Sequence, residues 1–327
     1  MYDDDGTSEK QLSAELRGTL LASDQNNERR TRHGDCFRIC SYTARTVASN
    51  TDLDILLENA SRIKYNVIAL QNTMMKSPDI RQLDDGSLII RGGKNVSRNE
   101  GGVGFIVHPS ANLHVRSKKI ISPYLAILRL QLPHGKRVSI INCYSPTNAT
   151  ASELDEFFGK LEKLICEERA FYKFVIGNFR ACIGKAIEGE YRIGKHGIGE
   201  RDENGNRLAG LLSTARLFHG NSFFQKKERL RWTWKSPDDT VHAEIDHFLT
   251  NRRWCLFDVS VLPAFPSESG HRLLRAKVRL SKTLEEEWLK RKKKVNDENI
   301  PDDVLQQLVC HVEEKLSYNS KHVDEEI

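Results

Sequence analysis

The stretch VIGNFRACIG, Val175 to Gly184, sets how the rest of the chain is read. Val-Ile-Gly closes the apolar run YKFVIG, which has the look of a core strand buried on both faces. Asn-Phe-Arg ends that run in a tight loop, the usual seat of side chains that do chemistry. The loop offers an amide and a guanidinium, Asn178 and Arg180, where a metal-using enzyme would want a carboxylate.

Working outward, strands and helices alternate. Upstream, FRICSYTART reads as a strand, and TDLDILLENASRIKY places Leu53, Leu56, Leu57, Ala60 and Ile63 on one helical face. NVIALQ is a buried strand. Turn-separated strands follow in SLIIR, GGVGFIVHP, LAILRLQL and RVSIINCYSP, with Leu128, Leu130 and Leu132 on one face of the third. SELDEFFGKLEKLICEERAF is an amphipathic helix with Leu154, Phe157, Phe158, Leu161, Leu164 and Ile165 inward, and Thr150 with Glu153 predicts a capping box at its start. Downstream come a helix, ENGNRLAGLLSTARLF, and the strands RWTWKS, EIDHFLTN, FDVSVLP and RLLRAKVRL. Helices interleaved with hairpins predict an α/β fold of mixed sheets covered by helices.

No repeat or long linker interrupts residues 36–281, so one domain is expected there. The polar segment 1–34 is expected to be a disordered tail, with a short helix over Leu12–Ser23. Residues 282–327 predict a charged helical tail. Its run Lys290 to Lys294 reads first as a solvated helix face and second as a nuclear-localisation or phosphate-binding patch.

Hydrophobic residues at 39% against 29% charged are ordinary for a globular protein, and no run of about 18 apolar residues predicts a membrane span. The acidic opening MYDDDGTSEK has no apolar core of the kind a signal peptide needs. The expectation is an intracellular protein, nuclear or cytoplasmic, in which the sequons at Asn95 and Asn148 are idle. Seven scattered cysteines without a C-x-x-C pair predict reduced thiols and give no support for a zinc site. A net charge of +5 permits a polyanionic partner.

Metalloprotease, Walker and serine-hydrolase motifs are absent. DENGNR (Asp202–Arg207) resembles the opening of a calcium loop, but Arg207 stands where that loop needs glycine and no Glu closes it. SESGH is a polar loop rather than a nucleophile elbow. What remains is a set of strand-end residues spread over the domain: Thr43, Asn72, Tyr144, Asn178, Arg180, Asp246 and His271. Taken singly, each is ordinarily a satisfied structural residue.

Their order has more weight. The blocks ICSYTARTVAS, VIALQNT, GGVGFIV, CYSPTN, FYKFVIGNFRACIG, GKHGIGERDENGNRL, HGNSFFQK, RWTWKSP, EIDHFLTNRRWC and SGHRLLRAKV run in the order of the endonuclease/exonuclease/phosphatase superfamily. Within it, the chain resembles the abasic-site-endonuclease-like domain of RTE-type non-LTR retrotransposons, nematode elements in particular, over roughly residues 36–281. The resemblance implies a four-layer α/β sandwich of two mixed β-sheets flanked by helices, with the site at the sheet ends. It also implies Mg²⁺-assisted hydrolysis of a phosphodiester: carboxylates hold the ion, an Asp held by an Asn deprotonates water, and an Asp–His pair and a Tyr bind phosphate oxygens.

Matched position by position, Tyr144, Asp246 and His271 agree with the family pattern. Thr43 replaces an Asn, Asn72 the metal-binding Glu, Asn178 an Asp, Arg180 an Asn and Gly270 an Asp. Asn72 and Asn178 keep the shape of what they replace without the charge. Losing a positioned general base alone costs about 10²–10⁴-fold in rate. Three carboxylates become neutral and one cation is added, a formal shift of about +4 that favours direct contact with phosphate.

Three readings stand. The first is a retrotransposon-derived, cleavage-incompetent domain that needs no cofactor and holds a nucleic-acid backbone, DNA rather than RNA. The second is a residually active Mg²⁺-dependent DNA endonuclease, and the third an inert relic or protein-interaction module. Asn72, Asn178 and Gly270 oppose the second; Arg180 favours the first over the third. No membrane contact is expected, and the oligomeric state is left open.

Overall fold

The structure is a computed structural model that describes residues 36–266, 269–281, 285–286 and 289–290. The expected tail over 1–34, its helix at Leu12–Ser23, most of the 282–327 tail and the run beyond Lys290 lie outside the described residues.

Two mixed sheets face each other. The strands in chain order are β1 (Phe37–Thr43), β2 (Val67–Gln71), β3 (Asp79–Gln82), β4 (Leu88–Arg91), β5 (Val103–Val107), β6 (Val115–Ser122), β7 (Leu125–Gln131), β8 (Arg137–Tyr144), β9 (Tyr172–Asn178), β10 (Phe218–His219), β11 (Trp234–Lys235), β12 (His242–Ala243), β13 (Asp246–Thr250), β14 (Leu256–Leu262) and β15 (Leu273–Val278). The first sheet has seven strands in the order β14-β15-β1-β2-β5-β4-β3, the second six in the order β10-β13-β9-β8-β7-β6, and β11 pairs with β12 alone. Each large sheet is built around one parallel pair, β1 with β2 and β8 with β9, and every other strand pair within them is antiparallel.

Each parallel pair needs a crossover, and a helix supplies it. Helix α1 (Asn50–Ser61) joins β1 to β2, and α2 (Ala151–Glu167) joins β8 to β9; α3 (Glu203–Thr214) follows the loop after β9. Capping boxes start the first two, Ser49 with Asp52 and Thr150 with Glu153. Asp202 caps α3, its carboxylate accepting from the Gly205 N–H at 2.6 Å. DENGNR is therefore a helix start, which explains its acidic opening without calcium.

Side-chain alternation assigns the layers. Val67, Ala69, Phe174 and Ile176 point between the sheets, packing with Ile140, Leu128 and Phe248 in one core. Ile68 and Leu70 face outward onto Leu53, Leu56 and Ala60 of α1. Ile141 and Val175 face outward onto Phe157, Phe158, Leu161 and Ile165 of α2 and Leu208, Leu211 and Leu212 of α3. The result is the four-layer α/β sandwich the resemblance implies: helix, sheet, sheet, helices. Strands covered on both sides carry no polar alternation, which is why they read as unbroken apolar runs.

Four strands escape the sequence reading. β3 and β6 are edge strands, and β6 exposes Arg116, Lys118 and Lys119, so it lacks a buried stripe. β10 and β12 have two residues each, too few to carry a period. RWTWKS, expected as a full strand, pairs only at Trp234 and Lys235.

Candidate active site

The inward parity that builds the core continues to one end of the sheets, where the apolar residues give way to polar ones. Thr43 follows Ile39 and Ser41, Asn178 follows Phe174 and Ile176, and Asp246 precedes Phe248 on the same face. Register places Asp246, Asn178 and Tyr144 side by side across β13, β9 and β8. Gly177 makes this close packing possible: a Cβ there would stand 1.9 Å from the Cys143 carbonyl oxygen, and its φ of +150° is one side chains avoid.

Three of the expected residues form one chain of hydrogen bonds. Thr43 Oγ1 donates to Asp246 Oδ1 at 2.8 Å, and Asp246 Oδ2 meets His271 Nδ1 at 2.9 Å. Asp246 is 2% exposed, and this carboxylate fixes the imidazole on one side of Asn178. Ser269 Oγ accepts from the His271 N–H and donates to the Thr43 carbonyl, closing the loop onto β1.

On the other side stands Arg180. Its φ of 49° is left-handed, a turn stabilised by Asn178 Oδ1 accepting from the Arg180 N–H at 3.0 Å. One guanidinium nitrogen donates to the Tyr144 hydroxyl at 3.0 Å, and Asn204 holds the Arg180 carbonyl at 2.9 Å. Two donors here have no acceptor: Asn178 Nδ2, on a side chain with no exposure, and Arg180 Nε. A buried donor left unpaired costs about 1–3 kcal/mol.

Asn72 and Gly270 stand apart from this group. Asn72 adopts a φ of 59°, and its Nδ2 donates to the carbonyls of Ala44 and Arg45, both at 3.2 Å. The amide is used as a staple between two loops. At Gly270 a Cβ would stand 2.8 Å from the Lys235 carbonyl oxygen, so any side chain there forces a shift. Glu244, a further carboxylate near Asp246 in sequence, is 4% exposed and engaged by Arg231 at 3.4 Å and Asn221 at 3.1 Å.

These residues do not fit a divalent ion. Magnesium takes hard, anionic oxygen ligands. Asn72 and Asn178 are neutral amides, Arg180 brings a cation, and the Asp246 carboxylate is engaged on both oxygens. Among the described residues no three His, Cys, Asp or Glu side chains are grouped as a metal site.

Sequence reasoning missed the groups that support this site from below. Asn142, fully buried, donates to the Leu70 and Gly104 carbonyls at 2.8 Å each and accepts from Gln71 Nε2 at 2.6 Å, bridging the two sheets. Behind the Arg180 loop, three side chains form a relay whose direction is fixed by its end. The Ala181 carbonyl can only accept, so His247 Nε2 donates to it at 2.7 Å. His247 Nδ1 then accepts from His219 Nε2 at 2.9 Å, and His219 Nδ1 accepts from Ser222 Oγ at 2.8 Å. Burial pushes both imidazole pKa values down, that of His219 well below the ordinary range. The signal was present in sequence: a polar residue inside an otherwise apolar strand, as in RVSIINCY and DHFLT.

No family model matches the sequence. Craniofacial development protein 2 from Tragulus javanicus is 27% identical over 235 residues, covering 70% of this chain and 40% of that protein, and the Bos taurus protein of the same name is 27% identical with 38% covered. The chain thus spans about two-fifths of the length of these relatives. Among solved structures, the AP endonuclease LMAP from Leishmania major superposes with a TM-score of 0.56 at 11% identity, covering 76% of this chain and 89% of that one. The 3′ phosphatase NExo from Neisseria, bound to a product DNA hairpin, gives 0.54 at 14%, covering 75% and 100%. The endonuclease domain of TRAS1, a telomere-specific non-LTR retrotransposon, gives 0.52 at 12%, covering 76% and 100%. The fold is the endonuclease/exonuclease/phosphatase fold, as the sequence resemblance implies. Among the described residues no helix is long and apolar enough to cross a membrane.

Proposed function

We propose that this chain carries an endonuclease-fold domain, retrotransposon-derived, that has lost phosphodiester cleavage and holds a nucleic-acid backbone at the old site. The domain spans residues 36–281, and the preferred ligand is DNA. One observation carries the reading: at the sheet ends a half-buried cation, Arg180, paired with the Tyr144 hydroxyl, stands with the Asp246–His271 pair where the resemblance implies a phosphate. A phosphate oxygen is an acceptor that the half-buried Arg180 guanidinium would recognise through paired N–H groups, while Asn178, with no exposure, shapes the turn that presents it.

Cleavage asks for different groups. Water must be deprotonated, and the amide of Asn178 has no basic lone pair to do it. Charge developing on the phosphate would fall to Arg180 and the Tyr144 hydroxyl, which orient and neutralise but do not generate a nucleophile. Asp246 has its oxygens committed to Thr43 and His271, so its role here is to hold the imidazole. The domain therefore binds and positions a phosphate without breaking it.

Two measurements test this. Supercoiled plasmid incubated with the protein and Mg²⁺ or Mn²⁺ should remain uncut; EDTA-sensitive nicking would overturn the loss of cleavage. Binding to duplex DNA in EDTA should weaken with salt, and Arg180→Ala should reduce the salt slope by about one unit. Salt-insensitive binding, or none, would sink the backbone reading.

A further inference from the structure

A concavity lies away from the sheet-end site. It opens between the loop 186–196, the turn after β10 and the turn after β13, with a volume of about 670 Å³. None of its lining residues belongs to the sheet-end group. Its volume is within the range of small-ligand sites.

The lining combines flat apolar surface with positive charge. Tyr191, 42% exposed, and Phe223 supply two rings, and Lys195, His196 and Arg253 supply cations or potential ones. The Arg253 guanidinium lies 4.1 Å over the Phe223 ring, and the Arg192 guanidinium lies 5.1 Å from the Tyr191 ring centre. The cleft's acid, Glu190, is gripped through both oxygens by Arg201 at 2.6 Å, and that guanidinium pulls the carboxyl pKa down. Its charge is thereby met within the chain, and the exposed Lys195 brings a cation to the lining beside Arg253. The wall is also preorganised: Gly194 N–H donates to Ser222 Oγ at 2.7 Å and His196 N–H to the Ser222 carbonyl at 3.0 Å, tying the loop to the turn that carries Phe223.

A ligand matching this surface has a flat, weakly polar body and an anionic end. We propose that the cleft binds a nucleoside phosphate, free or as an unpaired end of a strand, with its base against Tyr191 and Phe223 and its phosphate against Lys195 and Arg253. Sequence-tolerant stacking of a base on an aromatic side chain beside cations is the physics of single-strand recognition. The proposal stands independently of the reading at Arg180.

Titration of AMP by calorimetry and of fluorescein-labelled oligo-dT by anisotropy, both in EDTA, tests it with Tyr191→Ala, Lys195→Glu and Arg180→Ala. Tyr191 and Lys195 are exposed, so both variants should fold, which their thermal melts check. Each should weaken binding about tenfold, the scale of one lost stacking contact, while Arg180→Ala leaves AMP binding unchanged. AMP binding that both cleft variants weaken supports a free nucleotide as ligand, and oligonucleotide binding weakened by them without AMP binding supports a strand end. Affinity for both probes that neither variant changes, or no binding of either probe, overturns the proposal. Failure of the Arg180 variant to affect duplex DNA would count against the sheet-end reading alone.

Discussion

Two polar clusters sit one above the other between the sheets, and they are built differently. In the lower one, Asn142 and Gln71 satisfy each other and the carbonyls of Leu70, Gly104 and Ala69. In the upper one, Asn178 and Arg180 leave two donors with nothing to meet. The same residue type, asparagine at an inward strand position, closes one network and leaves the other incomplete. The contrast is the one the proposed reading uses: the first network is closed by the chain itself, and the second leaves room for an acceptor the chain does not supply.

The largest test of that contrast is stability. Asn142→Leu would strand two carbonyls and the Gln71 amide, at about 1–3 kcal/mol for each unsatisfied group, so urea denaturation should show a loss of about 4 kcal/mol. Asn178→Ala removes one bond but also an unsatisfied donor, and should cost about 1 kcal/mol or less. Equal losses at the two positions would erase the distinction.

Next in size is pH. His219 and His247 are held neutral by burial, so their folded pKa values lie below the unfolded value of about 6.5. The unfolded chain then binds more protons, and stability is full above about pH 6.5 and falls as the solution is acidified. The slope should approach about 1.4 kcal/mol per pH unit for His219 alone. Urea midpoints at pH 7 and pH 5 measure it, and His219→Gln should flatten the difference; a flat profile in the natural chain would mean that the relay accepts a proton in the fold.

Arg180→Ala should reduce DNA affinity about tenfold while leaving the melting temperature nearly unchanged, because a charge-assisted hydrogen bond to the ligand is lost and little of the fold. Affinity is read by anisotropy at one fixed salt concentration. The smallest expected effect belongs to Gly270→Asp. A Cβ 2.8 Å from the Lys235 carbonyl oxygen forces a local shift of the β11 segment, which should cost about 1 kcal/mol in urea. No loss at all would show that this loop yields freely.

The sandwich was legible because doubly covered strands are long apolar runs and because the crossover helices carry clean stripes, as in Phe157, Phe158, Leu161 and Ile165. The start of α2 was legible in the Thr150–Glu153 capping box, while the Ser49–Asp52 box that starts α1 was not read. Strand β6 was not legible, since an edge strand rich in Lys and Arg has neither period nor burial. At the site, Tyr144, Asn178, Asp246 and Thr43 fall together because they share inward parity at strand ends, a property the alternation of each strand encodes, and Arg180 joins them through the left-handed turn after β9. Asn72 and Gly270 could be read for the charge they lack but not for what they do now. Asn72 donates to the carbonyls of Ala44 and Arg45, the Gly270 carbonyl accepts from the Lys235 N–H, and backbone partners leave no trace in side-chain identity.

The Asn72 staple has a consequence for how the chain could change. A glutamate at that position has no N–H to give to the Ala44 and Arg45 carbonyls, and it tolerates a φ of 59° less readily than asparagine does. Its carboxylate would face two carbonyl oxygens. Introducing a metal-binding residue there would begin by weakening the loops that would have to carry it. The amide at this position thus resists replacement by a carboxylate, because the two loops are held together through it.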